Sequence, residues 1–173
     1  MKPVRTLVLR LGGPLELRDT DGNDLTPRAR KAQGLLALLG TSPGLRRSRS
    51  WLQDKLWSDR GPEQGAASLR QCLTEIRRSL RDHVDCLVTE TGWVGLDPGR
   101  VEVQMAAPAQ PQGARGEFLE GLDVRDPEFE HWLRDQRSAY EDARVPKASV
   151  QVLERSTSHD THPLGVDVER RVP

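Results

Sequence analysis

The stretch GAASLRQCLTEIRRSLRD, Gly65 to Asp82, constrains this 173-residue chain more than any other. Leu69, Leu73, Ile76 and Leu80 recur at spacings of three and four, and at ~100° per residue they fall within one narrow arc of an α-helix. Gln71 and Arg78 then point almost directly away from that arc, with Ala67 and Thr74 close beside them. One face must be buried by other elements. The opposite face mixes small residues, hydrogen-bonding groups and positive charge, which suits either an ordinary solvated surface or one built to lie in a groove. The sequence therefore predicts a long docked helix over about 63–81 with a basic outward strip.

The flanking segments supply what buries it. RTLVLRLGG and PLELRD give two short alternating segments, Thr6 to Leu11 and Leu15 to Arg18, and DTDGND is a turn signal leading to a third short strand at Leu25. A small N-terminal antiparallel sheet is expected. In TPRARKAQGLLALLGTSPG, Thr26 is the expected N-cap and Pro27 the first helical position, with Ala32, Leu35, Leu36 and Leu39 on one face. Ser48 is placed to cap a short second helix whose Leu52 and Leu56 face inward. Trp51 and Trp57 straddle that helix and are expected to fill the gap beneath the N-terminal sheet. A loop, Ser58 to Gly61, leads into the long helix. Beyond it, Cys86 to Thr89 and Trp93 to Leu96 flank a Glu-Thr-Gly turn, a β-hairpin pattern in which Trp93 anchors the hairpin on the core. Cys72 and Cys86 lack metal or redox spacing and read as reduced packing residues.

The formal net charge is zero, but it is unevenly distributed. Residues 1–84 carry 16 Lys and Arg against 9 Asp and Glu, a balance of +7; residues 85–173 carry 10 against 17, a balance of −7. Between Arg28 and Arg81 there are 12 basic and 4 acidic residues. Local charge rather than the total sets the potential that a polyanion meets.

Together RKAQGLLALLGTSPGLRRSRSWLQDKLW, ASLRQCLTEIRRSL and LVTETGWVGLDPGRVEV resemble the DNA-binding domain of SARP-type transcriptional regulators, a branch of the OmpR/PhoB-like winged helices. The likeness runs from about Leu7 to Val103 and rests on the ordered set rather than on one motif. It implies an α+β fold: a winged helix-turn-helix, with an N-terminal small antiparallel sheet, three helices and a C-terminal β-hairpin wing, over residues 4–104. It also implies double-stranded DNA as partner, with the helix over 63–81 in the major groove.

On that reading Arg70, Gln71, Thr74 and Arg78 face bases or line the groove, because a guanidinium fork can meet two acceptors of guanine at once. Arg77 and Arg81 lie nearer the flanks and suit phosphates. Arg46, Arg47, Ser48 and Arg49 surround the start of helix two, where backbone N–H groups and positive charge suit another phosphate. Glu75 would repel a phosphate unless it pairs with Arg78 or accepts from cytosine. The tip Glu90-Thr91-Gly92 lacks the basic residue that winged helices often send into a minor groove.

The family usually continues into a helical-repeat transcriptional activator domain. Here residues 105–116 form a Pro/Ala/Gln/Gly linker, residues 117–145 resemble one early piece of that domain, and residues 146–173 show no sustained periodicity, as expected of a disordered tail. Asp126 is placed to cap a C-terminal amphipathic helix and Pro127 to start it, with Phe129, Trp132, Leu133, Gln136 and Tyr140 on one side. That aromatic face has two candidate occupants. One is the chain's own core, with Phe118 and Leu122 wedged between; the other is a partner, such as RNA polymerase, a second regulator or a second copy in a homodimer, binding Phe129, Trp132, Leu133 and Tyr140.

Glu117 and Glu120, one helical turn apart, read as a solvated face. His159-Asp-Thr-His162 has no other ligands nearby, so neither a metal nor a cofactor is expected. The motifs of nucleotide hydrolases and zinc proteases do not occur, and no enzyme activity is indicated. With Arg5 and Arg10 interrupting the apolar N-terminus, neither a signal peptide nor a membrane span is expected, and a cytoplasmic location follows. A protein-interaction module that binds a regulator or polymerase instead of DNA is the alternative, favoured by Glu75 and the acidic tip.

Overall fold

The structure, a computed structural model, describes residues 6–106 and 116–144. The tail 146–173 with its His159–His162 pair, and residues 107–115 of the linker, lie outside the described residues. The protein is mixed α and β, with four α-helices and two three-stranded sheets among the described residues. In the first sheet, β1 (Leu7–Arg10) pairs antiparallel with β2 (Glu16–Asp19). Its third strand is not the expected one at Leu25. The place beside β1 is taken by β6 (Val101–Gln104), which runs parallel to it with Leu7 opposite Val101.

Leu25 still donates its N–H to the Leu17 carbonyl at 2.8 Å, but the segment does not continue as a strand. Thr26 Oγ1 accepts from Leu17 N at 2.9 Å, and Asp24 Oδ1 accepts from Thr26 N at 2.9 Å. Side-chain bonds of this kind divert backbone groups that a ladder would need. The same diversion corrects the first helix. With the Thr26 hydroxyl held against β2, α1 (Arg30–Gly40) starts one turn later than expected, with Ala29 as its N-cap.

α1 is the central element. Ala32 and the whole run Leu35 to Leu39 are fully buried. A Cβ on Gly34 would come within 2.9 Å of Val124, 3.1 Å of Leu56 and 3.2 Å of Phe129, so glycine allows three other parts of the chain to close on the helix there. α2 (Arg49–Leu56) follows a short strand, β3 (Arg46–Ser48), and Ser48 Oγ caps it by accepting from Trp51 N at 3.3 Å.

α3 (Pro62–Leu80) is the long helix, and its buried stripe is Leu69, Leu73, Ile76 and Leu80, as the spacing predicts, joined by Gly65 and Cys72. It leads through a short 3-10 turn into β4 (Leu87–Thr89) and β5 (Trp93–Leu96), the expected hairpin, to which β3 adds on the other edge of β5. Two tryptophans sit elsewhere than expected. Trp57 is buried beside Lys31 and Cys72, between α1 and α3 rather than beneath the N-terminal sheet, and Trp93 is half-buried under the Arg46 guanidinium.

Residues 116–126 form a strap, so Glu117 and Glu120 are not on a helix. Leu119 N donates to the Leu11 carbonyl at 2.9 Å and Glu120 N to that of Gly13 at 3.0 Å, which lays the strap across the end of β1. α4 (Pro127–Arg144) follows, and Asp126 caps it as expected, accepting from Glu128 N at 3.0 Å and Phe129 N at 3.4 Å. Phe118, Leu119, Leu122, Val124, Phe129 and Leu133 are all buried in the same core as α1 and α3. At ~1.5–3 kcal/mol per large apolar side chain, these six contribute on the order of 10 kcal/mol. That is comparable to the whole stability of a small domain. Among the described residues no helix is long and apolar enough to cross a membrane.

Two outcomes are expected. A chain ending at Val103 loses these six residues, so it should be insoluble or lack a cooperative melt; a wild-type melting temperature would show that the strap and α4 are appendages. Asp126→Ala should cost about 2–4 kcal/mol in denaturant unfolding, because a helix cap and charge-assisted bonds disappear together.

Candidate nucleic-acid interface

The outward strip of α3 carries Arg70, Gln71, Thr74 and Arg78, all exposed, with Arg77 and Arg81 exposed beside them. Two walls stand on either side of it. On one side is the hairpin, tied to the helix by Arg77 Nη2 donating to Thr89 Oγ1 at 2.9 Å. Arg77 thus has one edge committed to holding the hairpin in place. On the other side is the segment 24–31, separated from the helix by an open cleft.

Thr74 is less free than expected. Its hydroxyl donates back to the Arg70 carbonyl at 3.1 Å, leaving its lone pairs for an outside donor. Arg81 ends the helix with φ 52°, a left-handed backbone that non-glycine residues adopt only under strain, and it redirects the chain toward β4.

The cluster expected at the start of α2 is divided by the strand that precedes it. In β3 successive side chains alternate between faces. Arg46 pairs with Gly95 and Ser48 with Trp93, on the outer face, and the Arg46 guanidinium lies 5.4 Å from the Trp93 ring centroid. Arg47 instead pairs with Val94, which is fully buried. Its Nε donates to Ser42 Oγ at 2.7 Å and its guanidinium stacks 4.4 Å from the Trp51 ring. Arg47 is therefore a positioning residue on the inner face rather than a phosphate ligand. Ser48 is occupied as the cap of α2. Arg49, half-buried, donates through Nε to the Glu90 carbonyl at 2.8 Å, at the hairpin tip. Arg46 remains as an exposed cation beside the hairpin, with the half-buried Arg49 at its tip.

The distribution of ion pairs separates this surface from the remainder. Outside the interval Arg28 to Arg81, six of the seven described arginines pair with a carboxylate: Arg10, Arg18, Arg100, Arg125, Arg137 and Arg144. Inside it, none of the ten arginines forms an ion pair among the described residues. Glu75 and Arg78 form no ion pair with each other. An unneutralised guanidinium field in one region and neutralised guanidinia elsewhere leave a positive potential localised around α3.

Burial, reinforced by Glu75, pushes the Cys72 thiol up to about 12, so it is protonated at neutral pH. Burial also lowers the Lys31 ammonium below its ordinary range, although Asp126 opposes that shift. No group of metal-ligating side chains occurs among the described residues.

The aromatic face expected to bind a partner is largely consumed by the chain itself. Phe129 and Leu133 are 0% and 1% exposed, inside the core. Trp132 and Tyr140 are half-buried around Phe118, at centroid distances of 6.5 and 5.5 Å. The alternative weighed from the sequence, packing on the chain's own core with Phe118 between, is the observed one. Sequence reasoning gave no site role to Arg28, Arg30 and Arg60, which line the clefts between the segment 24–31 and α3, although Arg28 marks the start of the basic interval. No family model matches the chain, and no curated protein matches it.

Proposed function

We propose that the protein is a sequence-specific double-stranded DNA-binding transcription regulator. In this reading α2, the Trp57–Gly61 loop and α3 are a helix-turn-helix, β4 and β5 are the wing of a winged helix, and α3 lies in the major groove. The resemblance to SARP-type regulators is consistent with the order of elements. The observation that carries the reading is that the arginines between Arg28 and Arg81, nine of them once the inward Arg47 is set aside, have no carboxylate partner among the described residues, because neutralising phosphates needs cations that are not already neutralised.

Within the strip, Arg78, Gln71 and Arg70 are the base-reading candidates and Thr74 is restricted to accepting. Arg46, Arg49, Arg77 and Arg81 are the candidates for phosphate, which positions the duplex without reading it. A protein-interaction module remains the second reading, favoured by the half-buried Glu75 and the exposed Glu90, which form no ion pair among the described residues. RNA polymerase or a second regulator would then meet a surface other than the aromatic face of α4.

Duplex binding measured against salt divides the two readings. Several phosphate contacts impose a slope of about −0.9 each in log affinity against log salt. A salt-insensitive or absent interaction with duplex would contradict the proposal. Once a preferred sequence is selected from a random duplex pool, Arg78→Ala and Gln71→Ala should each lose about 1–3 kcal/mol of discrimination without a change in melting temperature. Both variants discriminating like wild type would mean that α3 is not the reader.

A further inference from the structure

The wall of α3 opposite the hairpin has a shape of its own. A cleft of about 590 Å³ separates the helix from the segment before α1, lined among others by Pro27, Arg28, Glu75, Arg78, Ser79 and Arg81. Ala29 and Glu75 also line a second cleft of about 290 Å³ that reaches Arg60 and Trp57, so the two run together along this flank. A duplex major groove is ~12 Å wide, with a phosphate strand along each edge. A helix lying in it meets phosphates on both flanks. The hairpin side has Arg46 and Arg49; the other side needs an equivalent.

We infer that the cleft between the segment 24–29 and α3 is a phosphate-binding site, with Arg28 and Arg81 as its ligands on the second flank of the helix. The inference rests on the reading of α3 as the groove helix. Arg28 is exposed, and neither a hydrogen bond nor an ion pair holds its guanidinium among the described residues. Asp24 lines the same cleft and, held by the Thr26 N–H at 2.9 Å, stays ionised there. Glu75 is the second opposing charge in the cleft, with no ion-pair partner among the described residues. Arg28 should therefore attract a phosphate on this flank and Glu75 repel it. The phosphate can belong to a duplex backbone or to a free phosphorylated small molecule, and the chemistry of recognition is shared.

The test uses the full chain and three variants on the selected duplex and on a scrambled one, by fluorescence anisotropy across a salt series. Arg28→Ala should weaken binding severalfold and take about 0.9 from the magnitude of the salt slope. Glu75→Gln should tighten binding. Neither should change the ratio between selected and scrambled duplex. Arg134→Ala, which removes one exposed cation from α4, should change nothing. In a second arm, calorimetry with pyrophosphate and no DNA reads a free ligand: saturable binding by wild type that Arg28→Ala abolishes supports the site and assigns it to a phosphorylated small molecule. The inference is overturned if Arg28→Ala matches wild type in both arms, or if Arg134→Ala acts as strongly as Arg28→Ala. Wild-type duplex binding with an unchanged Arg28→Ala slope and no pyrophosphate binding sinks this site alone; no duplex binding by wild type sinks the reading of α3, and the pyrophosphate arm then decides the cleft.

Discussion

The Asp126 carboxylate joins three parts of the chain, and the placement of α3 depends on it. It is 2% exposed and accepts from Ser58 N and Ser58 Oγ, each at 2.9 Å, as well as from the first turn of α4. Lys31 Nζ of α1 lies 3.9 Å away and donates to the Leu56 carbonyl at the end of α2. A buried carboxylate without such partners would cost several kcal/mol. With four donors and a nearby ammonium that cost is offset. The loop between α2 and α3 is pinned at Ser58, and the pin restricts where α3 can start.

From that anchor the remainder of the platform follows. Gly34 admits Val124, Leu56 and Phe129 to one point on α1, so α2, the strap and α4 close around a single helix. Arg137 completes the closure, donating to the carbonyls of Phe118 and Leu119 at 3.0 and 3.1 Å and pairing with Glu117 at 3.0 Å. α3 is held on its inner side by this core and at one flank by Arg77 and Thr89. A rigidly held helix can present its outward side chains without a large ordering cost on binding.

Much of this was legible because the signals are local. The phase of α3 follows from four apolar residues, the start of α4 from Asp126-Pro127, the start of α2 from Ser48, and the hairpin from Glu-Thr-Gly between two apolar runs. What escaped reading depends on distant partners. Nothing near Val101 indicates that it will pair in parallel with Leu7. The late start of α1 comes from a hydroxyl claimed by Leu17, and the inward turn of Arg47 comes from its register with Val94. The amphipathic pattern of α4 specifies that one face is covered but not what covers it, so both core and partner were compatible with Phe129, Trp132, Leu133 and Tyr140. For the candidate interface, the sequence displays the excess of arginine; which arginines lack an acidic neighbour is a property of the folded surface.

Amide hydrogen exchange of the full chain, with and without a duplex enriched from a random-sequence pool, reads whether the arginines around α3 meet DNA. Exchange should slow in α3, at the hairpin tip and in the segment 24–31, while the outer face of α4 is unchanged. Failure of any sequence to enrich, or slowing confined to α4 with α3 unaffected, would contradict that contact.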